Sequence, residues 1–97
     1  MGNKRNQVIA IARFLAYKAE LNKQIENMSE EQYMQNPVGL DVGQYVEDMM
    51  KYCTVHTVDT VLKNQDEMIA RLGMEYLSAI AFMPYVDGGE TNAGEQT

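Results

Sequence analysis

The sequence predicts an all-α fold: a small helical bundle of three main helices plus a short connecting helix, with a disordered C-terminal tail. Three observations carry this expectation. The 97 residues include only two prolines, apolar residues recur at intervals of three and four, and eight methionines join many other unbranched side chains that lose little freedom in a helix. The length suits one domain, which we place at 1–86, followed by an acidic tail at 87–97.

The first helix is expected from Asn3 to about Met28, a stretch without proline or glycine. Ile11, Phe14, Leu15, Leu21, Ile25 and Met28 follow one face, and Val8, Ala12 and Ala19 widen the stripe as for a helix packed into a bundle. Its second half, from Lys18 to Asn27, is more polar and is expected to project into solvent. Ser29-Glu30-Glu31-Gln32 then has the form of a capping box, in which a hydroxyl and an amide side chain satisfy each other's backbone N–H groups. It should open a short helix over Glu30 to Gln35. Asn36-Pro37-Val38-Gly39-Leu40 breaks the pattern and reads as a loop.

Asp41 with Gln44 reads as a second cap, and a helix is expected from there to about Lys63. Thr54 to Val61 is rich in β-branched residues, but its valines at 55, 58 and 61 repeat every three residues instead of alternating, which favours helix. Asn64-Gln65-Asp66-Glu67 fits either a new helix start or the polar face of one uninterrupted helix. Met68, Ile69, Leu72, Tyr76, Leu77, Ile80 and Met83 mark the last amphipathic stretch, ending before Pro84, with Gly73 costing about 1 kcal/mol in its interior. Beyond Val86 nothing apolar exceeds alanine, so the tail cannot offset its ordering entropy.

Charge and composition narrow the function classes. A net charge of −6 opposes general nucleic-acid binding, which needs a clustered basic footprint. The charge is uneven: through Met28 five basic residues face two acidic ones, and from Ser29 onward three face twelve. This asymmetry predicts electrostatic packing of the first helix on the rest of the chain. No apolar run reaches the ~20 residues of a membrane span, and a lone cysteine, Cys53, fits a reducing compartment. The expected location is cytoplasmic, without a membrane.

Cys53, His56 and Asp59 form the one arrangement that resembles a reactive site, spaced three apart on an expected helix. Side chains on one helix face point outward in parallel and converge poorly on a substrate. Cys-x-x-His supplies two of the four ligands that structural zinc requires. We therefore expect no catalytic residues, no metal and no cofactor. The adjacent acids Glu30-Glu31, Glu47-Asp48 and Asp66-Glu67 do not face each other on a helix and read as solvated surface.

The methionines and six tyrosines are the more telling supply, because both types are enriched at protein interfaces. Long helices in a short chain expose much surface for their volume. The leading expectation is a non-enzymatic helical protein-interaction or assembly module, a homodimer or an accessory or inhibitor protein of viral or bacterial origin. Its partner-binding residues are Tyr45, Met49, Tyr52, Met68 and Tyr76. The alternative is an acidic decoy that blocks a partner's nucleic-acid-binding surface through Glu30, Glu31, Glu47, Asp48, Asp59, Asp66 and Glu67.

Overall fold

The structure, a computed structural model, describes residues 4–35 and 42–86. The expected loop at 36–40 and the tail at 87–97 lie outside the described residues. The helices run α1 Lys4–Glu26, α2 Glu30–Gln35, α3 Val42–Tyr52, α4 Val55–Leu72 and α5 Met74–Ala81, and no strand occurs among the described residues. The all-α class holds. No described helix is long and apolar enough to cross a membrane.

The central element is α1, which packs against α3, α4 and α5. Its small residues Ala10 and Ala12 let the neighbours approach, while Phe14 and Leu15 fill the space between them, each at 1% exposure or less. Met49 and Cys53 from α3 and its end, Val58 and Val61 from α4, and Leu77 from α5 complete the core. The capping box is realised: the Ser29 N–H donates to Gln32 Oε1 at 3.0 Å, and the Gln32 N–H donates to Ser29 Oγ at 3.1 Å. The resulting α2 makes no extensive contact with the other helices.

Two joints divide the second half of the chain differently from the expectation. The helix expected over 41–63 ends at Tyr52, because Thr54 leaves the helical region at φ −72°, ψ 160° and its hydroxyl caps a new helix by accepting from the Thr57 N–H. Met49 and Cys53, four apart and joined by the Cys53 N–H to Met49 carbonyl bond, both face inward just before that break. The second joint is Gly73, at φ +84°, ψ 153°, a conformation open essentially to glycine alone. Its N–H closes α4 on the Ile69 carbonyl and its own carbonyl accepts from Leu77 to open α5. Gly73 is therefore a hinge between helices and not an interior cost.

At Asn64 the backbone of α4 leaves the helical region, at φ −115°, ψ 15°, and the helix is kinked there. Side chains take over helix carbonyls here. Asn64 Nδ2 donates to the Thr60 carbonyl, Thr60 Oγ1 to that of His56, and Gln65 Nε2 to that of Leu62, and such competition bends helices.

Candidate functional site

Two faces of α1 carry the features that bear on function. On the first, Val8, Ile11, Ala12 and Leu15 recur at helical spacing and meet Leu72, Tyr76, Leu77 and Ile80 across a crevice of about 150 Å³. Seven of these eight residues are aliphatic. Leu15 and Leu77 form the buried floor, whereas Val8, Leu72 and Tyr76 stand on the rim, Tyr76 at 54% exposure. Gly73 makes the crevice possible by turning the chain between Leu72 and Tyr76. A volume of this order accommodates one benzene-sized group.

The second face holds Asn6, Arg13 and Tyr17, which recur at intervals of seven and four. Across it lies the segment that follows α5, residues 82–86. Asn6, fully buried, donates from Nδ2 to the Val86 carbonyl at 2.8 Å and accepts the Val86 N–H at 2.7 Å. Arg13 donates from Nε to the Ala81 carbonyl and from Nη2 to the Met83 carbonyl, with its guanidinium carbon 4.2 Å from the centre of the Tyr85 ring. Tyr52 stacks on the same ring, centroids 4.4 Å apart. Burial, then the nearby Asp48 carboxylate, pushes the Tyr85 hydroxyl up to about 12, with Arg13 opposing. A more open hollow of about 410 Å³ adjoins the segment, between Tyr17, Tyr45 and Phe82.

The five residues proposed as partner-binding separate into three situations. Met49 is wholly inside, at 0% exposure, on the face of α3 that packs against α1. Tyr45 stacks on Tyr17 at 4.7 Å, Tyr52 stacks on Tyr85, and Met68 packs half-buried against the core. Tyr76 is exposed and borders the crevice. Stacking within the chain thus occupies two of the tyrosines that the sequence offers to a partner.

Cys53, His56 and Asp59 are not brought together. Cys53 is buried at the end of α3, 3.9 Å from the Gln7 carbonyl, and burial pushes its thiol up to about 11, which keeps it protonated. His56 and Asp59 lie exposed on α4, and Asp59 pairs with Lys63 at 3.0 Å. Among the described residues no cluster of three or more His, Cys, Asp or Glu could hold a metal. Glu67 likewise pairs with Arg71 within α4, so two of the acids assigned to a decoy surface carry their own cations. Arg13 reaches the second half of the chain through carbonyls and a ring and not through the acidic side chains that the charge asymmetry suggested.

Sequence reasoning placed Val8 and Leu72 on apolar helix faces without assigning them to a binding surface, and gave Asn6 and Arg13 no structural role. The shared face of Asn6 and Arg13 was a readable signal, since a polar pair seven apart on an apolar helix is poor core material unless it has partners. What those partners were depended on a segment some seventy to eighty residues later. No family model, curated protein or solved structure matches the chain.

Proposed function

We propose that this chain is a non-enzymatic helical assembly module whose docking surface is the crevice between α1 and α5, and that a second copy of the chain occupies it. The observation that carries the reading is the exposed apolar rim formed by Val8, Leu72 and Tyr76 around a narrow aliphatic hole. A two-fold interface needs projections and a hole on the same patch, because each copy offers the other its own surface. This patch has both. Covering it removes apolar surface from water at about 25 cal/mol per Å².

This reading moves the interface away from Tyr45, Met49 and Tyr52, which serve the interior, and keeps Tyr76 at its centre. An accessory or inhibitor role suits such a module, with the dimer as its working form. Light scattering on the full chain tests it: a mass above 11.0 kDa that rises with concentration is expected, and a particle of 11.0 kDa at every concentration removes the proposal.

A further inference from the structure

The hollow beside Tyr17 differs in kind from the aliphatic crevice. It encloses about 410 Å³, and Arg13, Tyr17, Tyr45, Ser78 and Phe82 line it together with two alanines. Small-molecule sites begin at volumes of about 300 Å³. Its polar groups lack partners within the fold. Arg13 donates to the Ala81 and Met83 carbonyls, which leaves guanidinium N–H groups over, and among the described residues no carboxylate forms an ion pair with it. Asp48 accepts from the Tyr85 hydroxyl instead, at 3.5 Å. The hydroxyls of Tyr17, Tyr45 and Ser78 have no hydrogen-bond partner among the described residues either. Rings accompany these groups. Tyr17 and Tyr45 stack at 4.7 Å, with their planes 24° apart. Phe82 is the most exposed large hydrophobic residue described, at 88%. Its backbone N–H caps α5 on the Ser78 carbonyl at 3.2 Å, so the helix end fixes its place at the hollow while its ring stands uncovered.

We propose that this hollow is a binding site for a small aromatic carboxylate, with the carboxylate on Arg13 and the neighbouring hydroxyls, and the ring against Phe82 and the Tyr17–Tyr45 pair. The chemistry of the lining sets the class. A guanidinium without a counter-ion takes a carboxylate through charge-assisted N–H···O bonds, and each hydroxyl can add a donor. An inorganic anion would leave Phe82 uncovered, and a neutral aromatic would leave the guanidinium uncompensated. The ligand therefore carries both a charge and a ring, in the way that sites for small molecules combine apolar walls with a few placed polar groups. The hollow lies on a different face of α1 from the Val8 crevice and stands independently of the dimer proposal.

The test titrates the full chain with naphthylacetate and follows it by nuclear magnetic resonance. Saturable shifts are expected at Tyr17, Tyr45, Ser78 and Phe82. Naphthylethanol keeps the rings without the charge, and acetate keeps the charge without the rings. Each should bind about tenfold more weakly or worse, since a hydrogen bond to a charged group contributes about 1.5–3 kcal/mol. Phe82→Ala should weaken naphthylacetate about fivefold, the loss of one aromatic pair, and its exposure means that the fold does not depend on the ring. Arg13→Gln should bring naphthylacetate down to the affinity of naphthylethanol. Should Arg13→Gln not fold, the three probes on the wild type and the Phe82→Ala variant decide. The proposal is overturned if millimolar naphthylacetate leaves the signals of Tyr17, Tyr45 and Phe82 unmoved, or if naphthylethanol or acetate binds as tightly. Shifts centred on Tyr76 and the crevice, or a Phe82→Ala variant that binds as well as the wild type, would overturn it too.

Discussion

Asn6 and Val86, eighty residues apart in the chain, are joined through both halves of a peptide unit, with bonds of 2.8 and 2.7 Å to a fully buried carboxamide. The start of α1 and the end of the described chain are thereby closed on each other. A buried carboxamide needs such partners, because leaving its donor and acceptor unpaired costs about 1–3 kcal/mol.

Asn6→Ala should therefore destabilise the fold by about 1–3 kcal/mol, seen as a lower urea midpoint. The released Val86 amide should exchange with solvent faster than amides of α1. An unchanged midpoint with a protected Val86 amide would show that residues 82–86 are held by other contacts.

Two glycines should respond in opposite directions. Gly73 has open space around its would-be Cβ, so Gly73→Ala meets only the backbone penalty of its φ of +84° and should cost about 1–3 kcal/mol. Gly43 also has nothing within 4 Å but lies inside α3, where alanine is the better helix former, so Gly43→Ala should stabilise by about 0.5–1 kcal/mol. Thermal melts of the two variants compare the effects directly.

Stability should fall in alkali. Cys53 has its pKa raised from 9.0 to about 11, so the folded state keeps a proton that the unfolded state releases. Its contribution is fully present below pH 9 and is lost as pH rises toward 11. Tyr85, raised from 10.0 to about 12, adds a loss from pH 10 to 12. Urea midpoints across pH 8–11 should decline, and Cys53→Ala should flatten the decline between 9 and 11. A thiol reagent should also label native Cys53 far more slowly than the unfolded chain, because the buried thiol is neutral.

Among the described residues Phe14 is the largest wholly buried side chain, at 1% exposure where α1 meets the other helices. Phe14→Ala should cost about 3–5 kcal/mol, enough to leave much of a domain this size unfolded. Calorimetry would read this as a lost or strongly lowered transition.

Local signals in the sequence carried the helices and much of the punctuation. The capping box at Ser29 and Gln32 appeared at its expected positions, with α2 at its expected bounds, because all its partners lie within four residues. The joint at Thr54 was hidden for the same kind of reason inverted: threonine caps and threonine in a helix look alike until the neighbouring core shows which way Met49 and Cys53 must face. Gly73 was visible as a glycine, but its left-handed φ follows from where α5 must lie against α1. Tyrosines suited to an interface gave no sign that Tyr17 and Tyr45, or Tyr52 and Tyr85, would satisfy one another. Tyr76 stayed at the candidate surface because no second ring stacks on it among the described residues.

The docking claim meets its most direct test in sedimentation equilibrium of the wild type beside Tyr76→Lys. Tyr76 is exposed on α5, so the substitution leaves the core intact while placing a charge in the apolar rim of the crevice. The account predicts that the wild type sediments at twice 11.0 kDa and the variant at 11.0 kDa with unchanged helical content. A wild type that stays at 11.0 kDa at all concentrations, or a Tyr76→Lys variant that dimerises as tightly as the wild type, would contradict it.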